Sequence, residues 1–226
     1  MLRARPLLAR SYPFIYMPFA IYFLRHGKPD LPFASYAETP FSVLCEMASG
    51  ARDLGIKTDL SRELLQEGIA KNGAFPVGAR VVMSPRRRAQ ETAELVRNEV
   101  HSAAPEVVVD LIELSFDLEK LYSPANGIDM DALNRAVLLA VETGEFAESL
   151  DHAFERVRHV FEKIQTYNQP VICITHDFFM RTIELFIRHH GDVTTVVPGE
   201  LLTTQTNHPC TGFKTDSDFV TFVSWK

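Results

Sequence analysis

Cysteine is scarce in this chain, and the three present, Cys45, Cys173 and Cys210, are an odd number set far apart. With no CxxC pair and no tight Cys/His cluster, they offer neither a disulfide framework nor a structural zinc site. A reduced, cytoplasmic setting is the expectation. An excess of positive charge is also missing: 23 Lys and Arg against 29 Asp and Glu leave a formal charge of −6. Nothing in that balance recruits nucleic acid or an anionic membrane surface, so any basic site must be local. No run of eighteen apolar residues occurs, which excludes an expected membrane span. Internal repeats, low-complexity tracts and an interdomain linker are absent as well.

What is present is the makeup of one globular α/β domain: 226 residues, 46% of them hydrophobic, enough for a substantial core but not for two. The N-terminal residues carry Arg3, Arg5 and Arg10 without an acidic residue, and the apolar "PFIYMPFAIYF" follows. A signal peptide is not expected there, because cleavage behind the apolar stretch would remove or truncate the first strand of the core. Residues 1–16 are read instead as an N-terminal arm, disordered or ahead of a start at Met17, and 17–226 as a single domain.

Four short Val- and Ile-rich runs, "AIYFL" (20–24), "RVVM" (80–83), "EVVVDL" (106–111) and "PVICIT" (170–175), suit strands buried on both faces of a parallel sheet. Between them lie helical patterns. Ala89, Thr92, Ala93, Val96 and Val100 recur at helical spacing behind Ser84-Pro85, a favoured N-cap followed by a favoured first residue. Further helices are predicted over 131–142, from about Glu145 to Tyr167, and over about 178–190, with one or two strands in 198–226, "DFVTFVSW" the clearest. Strand and helix in alternation predict a three-layer α/β/α domain with a mainly parallel central sheet.

Parallel strands deliver their C-terminal ends to one edge, where open α/β sheets bind ligands. The four strands end in Arg25-His26, in Ser84-Pro85-Arg86-Arg87-Arg88, near Glu113, and in His176-Asp177. Two histidines, at least two arginines and a carboxylate suit a phosphate, whose oxygens match the planar fork of a guanidinium. The helix opening at Ser84-Pro85 would add free N–H groups, and Gly27, lacking a Cβ, would let the backbone approach the ligand.

The motifs "LRHG", "SPRRRAQETAEL", "LIEL" and "ITHD", in this order over residues 20 to about 190, resemble the histidine phosphatase superfamily, the phosphoglycerate mutase-like fold; "ESLDHAFERV" (148–157) is similar to the stretch ahead of that family's last helix. The resemblance implies a nucleophilic role for His26, phosphate binding by Arg25, Arg88 and His176, and proton donation by Glu113, with His176 also at the catalytic centre. It implies a phosphatase working through phosphohistidine, without cofactor or metal, on a small phosphorylated metabolite or a phosphoprotein. A phosphomutase and a non-catalytic phospholigand-binding protein of the same fold are the alternatives. Arg86 and Arg87 are also readable as a solvated charge run, and Asp110, Asp117 and Glu119 stand close to Glu113 in sequence. His101, His152, His159, His189, His190 and His208 receive no role. Two departures stand out: Lys28-Pro29-Asp30 follows RHG, and Asp177 stands where the family usually has glycine. A carboxylate there would repel phosphate unless turned away or paired with a cation such as Arg181. Residues 28–75 and 114–145 are expected to cap the pocket and set specificity.

Overall fold

The computed structural model describes residues 18–124 and 127–215, together with the backbone of 223–225. The expected N-terminal arm lies outside the described residues, as does most of "DFVTFVSW".

Six strands form one sheet: β1 (Ile21–Arg25), β2 (Arg80–Met83), β3 (Glu106–Val107), β4 (Val171–Thr175), β5 (Gly212–Thr215) and β6 (Val223–Trp225), in the order β3-β2-β4-β1-β5-β6. β1, β2, β3 and β4 are mutually parallel, while β5 runs antiparallel to β1 and β6 antiparallel to β5. β4 is buried at every position, as its unbroken run of apolar residues requires. β5 lies against β1 only because Gly212 has no side chain: a Cβ there would sit 1.8 Å from the Phe23 carbonyl oxygen.

Successive strand residues face opposite sides, and each side has its own core. Leu24, Val81, Met83, Ile172 and Ile174 pack against Leu65 of α2 (Thr58–Asn72) and Ala89, Ala93, Val96 and Val100 of α3 (Arg87–Val100). Ile21, Phe23, Val82, Val171 and Cys173 meet α5 (Met130–Thr143), α6 (Leu150–Gln165) and α7 (Asp177–Arg188), with Leu138, Phe154, Phe161, Phe179 and Ile183 at the centre. The result is the expected three-layer α/β/α arrangement. A smaller apolar cluster joins α1 (Phe41–Ser49), α4 (Leu118–Leu121) and α5 through Leu44, Leu118, Leu133 and Val137. Among the described residues no helix is long and apolar enough to cross a membrane.

Three sequence expectations need correction. α3 starts at Arg87 and not at Ser84-Pro85; Arg86 stands before it without a side-chain cap, and the Ser84 hydroxyl lies between Arg86 N and His176 Nε2. "EVVVDL" forms only a two-residue edge strand, then a 3₁₀ turn over Val109–Leu111. It has a neighbour on one side alone, and Val107 and Val109 are exposed, so the expected burial on both faces was never available to the whole run. The helix expected from Glu145 begins at Leu150, capped by the Ser149 side chain. Ahead of it Phe146 has positive φ and Ala147 bridges to Phe116, which holds 145–148 in a turn.

Candidate active site

Arg25 and His26 leave β1 at the edge expected for a ligand. The His26 amide donates to the Thr175 carbonyl at the end of β4 (2.9 Å), and the Arg25 amide to Thr211 (2.9 Å), so both residues are clamped between neighbouring segments. His26 is 3% exposed. Its Nδ1 lies 2.8 Å from the Gly27 carbonyl, a contact that holds the proton on Nδ1 and leaves Nε2 with its lone pair. Arg88 Nε donates to that Nε2 at 3.0 Å. Burial, then Arg88 and Arg25, hold the His26 imidazole well below its ordinary range, so the ring is neutral at pH 7.

His176 is fully buried and its ring centroid is 5.0 Å from that of His26. Its Nε2 lies 2.8 Å from Ser84 Oγ, while Nδ1 is buried without a hydrogen-bond partner. When the Ser84 hydroxyl donates to Nε2, Nδ1 carries the proton and is a buried donor without a protein acceptor. Burial, Arg88 and His26 keep this imidazole neutral too.

Three arginines supply the positive charge. Arg88 is almost wholly buried, and its Nη1 makes no hydrogen bond, lying 4.0 Å from Asp53. Arg25 donates to the Asn207 carbonyl (2.6 Å) and keeps a buried, unpartnered Nε. Arg86 also has a buried, unpartnered Nε, and its guanidinium occupies the space a Cβ on Gly50 would fill. Arg86 is therefore part of the pocket and not of a solvated run, whereas Arg87 points out to Glu91. Donors left unsatisfied in a buried place are costly unless a ligand meets them.

Glu113 follows the 3₁₀ turn, which the Thr175 hydroxyl ties to β4 through the Leu111 carbonyl. One carboxyl oxygen accepts from the amides of Leu114 (3.0 Å) and Phe179 (2.9 Å). Loss of hydration and then the charge of Asp177 push the carboxyl up to about 7. The segment is braced from behind. Arg156 donates to the carbonyls of Asp110 and Ile112, pairs with Glu148 at 2.6 Å, and lies over the Phe179 ring. These are the Glu and Arg of "ESLDHAFERV". Asp177 lines the same cavity and is paired there: it accepts from Arg181 Nε (3.2 Å) and from the Asn207 amide (2.7 Å).

Arg25, His26, Arg88 and Glu113 open, with Arg86, onto one cavity of about 740 Å³. All five sequence candidates are thus brought together, His176 through its ring contact with His26. Two local expectations are corrected. The missing Cβ of Gly27 faces Ser61 of α2, 2.5 Å from its hydroxyl oxygen, so glycine is needed there for packing and not for ligand approach. The start of α3 offers fewer free N–H groups than expected, since Arg87 N donates to Asp53 and Arg86 N, just ahead of the helix, to Ser84.

Sequence reasoning passed over Ser84, Thr92 and the 206–209 loop. Ser84 sits at a strand end, a signal that its cap-like context hid. Thr92 accepts from the Gly27 amide (2.8 Å) but reads as one more helix-face residue. Nothing in the sequence links Asn207 to Arg25, 182 residues away.

A family model described as the histidine phosphatase superfamily (branch 1) matches residues 58–191, a span that holds Arg88, Glu113 and His176 and begins beyond His26. No curated protein matches the chain in sequence. Solved structures share the fold. A Mycobacterium tuberculosis open-reading-frame product is 16% identical with TM-score 0.57, covering 91% of this chain and 95% of its own. A phosphoglycerate mutase from Bacillus anthracis is 17% identical with TM-score 0.57, at 93% and 94% coverage. A phosphoserine phosphatase from Entamoeba histolytica is 17% identical with TM-score 0.56, at 92% and 98%.

Proposed function

The chain belongs to the histidine phosphatase superfamily, a family of phosphatases and mutases, and from that membership we propose that it hydrolyses a phosphomonoester through a phosphohistidine on His26. The observation that carries the reading is a pair: a neutral histidine with Nε2 unprotonated, and a carboxyl held at about 7 in the same cavity. A nucleophile and an acid poised at one pH are what cleavage of an alkyl ester requires.

In the first step the Nε2 lone pair of His26 attacks phosphorus and the ester P–O bond breaks. Glu113 gives its proton to the departing oxygen. Arg88, which lies against Nε2, turns its N–H groups to the phosphoryl oxygens, joined by Arg25, Arg86 and, as a neutral hydrogen-bond donor, His176, and the arginine charge stabilises the transition state. In the second step water attacks phosphohistidine, the P–N bond breaks, and Glu113 takes the proton back. The Nδ1 contact to Gly27 keeps the ring oriented throughout.

The test is transfer of label. Incubation with a ³²P-labelled phosphate ester should place acid-labile label on the wild type and none on His26→Ala, which should also lose turnover. Label that persists in the variant refutes the assignment. Conversion of 3-phosphoglycerate to the 2-isomer faster than release of inorganic phosphate would make the protein a mutase.

A further inference from the structure

The two sides of the cavity differ in kind. Of its lining cations, Arg25, Lys28, Arg86 and Arg88 lie on the two segments that build the phosphate site, and the fifth, Arg156, is paired with Glu148. The side that carries Glu113, where the leaving alcohol must stand if Glu113 protonates it, is different. Phe178 follows Asp177 on the turn whose next amide binds Glu113, and its ring meets Phe116 edge to face at 5.6 Å. Leu44, Met47 and Leu133 continue this wall from α1 and α5, and belong with Phe116 and Phe178 to one apolar cluster. Tyr36 lines the cavity as well, with its ring packed on that cluster.

Among the described residues, no cation on the acid side is available to a second anion. Arg156 is committed to Glu148 and to two carbonyls, and Arg181 to Asp177. The other ionisable groups facing that side are Asp110, Glu148 and His152, the last of these on Glu148. A second carboxylate placed against Phe116 and Phe178 would lose water without gaining a free cation, and would face Asp110 and Glu148.

Resting on the phosphatase reading, we propose that the substrate's alcohol half is apolar, an aryl-alkyl or branched-alkyl group carrying the phosphate as its only anion. The wall formed by Phe116, Phe178, Leu44 and Met47 would hold it.

Three primary phosphate esters with comparable leaving oxygens separate body from leaving group: 2-phenylethyl phosphate, glycerol 1-phosphate and 3-phosphoglycerate. Burial of the phenylethyl group should raise kcat/KM roughly tenfold or more over glycerol 1-phosphate, with 3-phosphoglycerate poorest. Met47→Lys, at a half-buried position on α1, should reverse the order by lowering the phenylethyl ester and raising 3-phosphoglycerate; Phe178→Ser should bring the first ratio toward one. Glycerol 1-phosphate or 3-phosphoglycerate preferred by the wild type overturns the apolar alcohol and leaves the phosphatase standing. If no ester is turned over and His26 takes no label, the phosphatase reading falls and the proposal with it.

Discussion

Glu113→Gln should make the protein less active and, at alkaline pH, more stable. The wild-type carboxyl titrates at about 7 instead of 4.5, chiefly because it has lost water and faces Asp177. The sign follows directly. Between pH 4.5 and 7 the folded protein keeps a proton that the unfolded chain has released, so wild-type stability falls as pH rises through that window and levels off above it. A difference of about 2.5 pH units corresponds to roughly 3 kcal/mol when the carboxylate is fully ionised. Glutamine cannot ionise, and its Oε1 can still accept from Leu114 and Phe179, so the variant escapes that cost. The two proteins should be equally stable near pH 4.5, with the variant ahead by up to about 3 kcal/mol at pH 8.5. His26 and His176 are held below their ordinary range, so their protonation erodes stability as pH falls, but it does so in both proteins and leaves the difference largely unchanged. Urea unfolding of both proteins at one-unit pH steps gives the difference curve. A flat curve, or a wild type that gains on the variant with rising pH, would refute the perturbed carboxyl and with it the case for Glu113 as the acid.

Asp177→Asn removes the anion that helps keep Glu113 protonated and leaves Arg181 without its partner, both of which favour the Glu113 carboxylate. The alkaline limb of the kcat/KM profile, which reports the acid form in the free enzyme, should move to lower pH by roughly 0.5–1 unit; a limb that stays put or moves upward removes Asp177 from this role. Gly212→Ala should cost about 3 kcal/mol, the upper end for overpacking, since the added carbon would meet the Phe23 carbonyl oxygen at 1.8 Å and part β5 from β1. A midpoint in urea within error of the wild type would show that the strands can separate cheaply.

Much of this protein was legible from residue order alone. Unbroken apolar runs at "RVVM" and "PVICIT" can only be strands covered on both sides, and helical spacing at 89–100 and 131–142 can only cover them. From that follow the parallel sheet and its ligand-binding edge, because connection rules leave few other arrangements. Arg25, His26, Arg88 and His176 were readable because each stands at or just beyond the end of such a strand. Local patterns failed where a distant partner outweighed local preference. Ser84 has the makings of an N-cap, yet its hydroxyl bonds His176, 92 residues away, and the helix starts later. Val109 has strand propensity, but at the sheet's edge the chain turns to bring Glu113 under Phe179. The ionisation of the site was likewise decided only in three dimensions: neutral histidines, a carboxyl at about 7 and a paired Asp177 depend on burial and on charges brought together from four strands. A sequence states which groups can titrate; the water they lose and the charges they face are set by the fold.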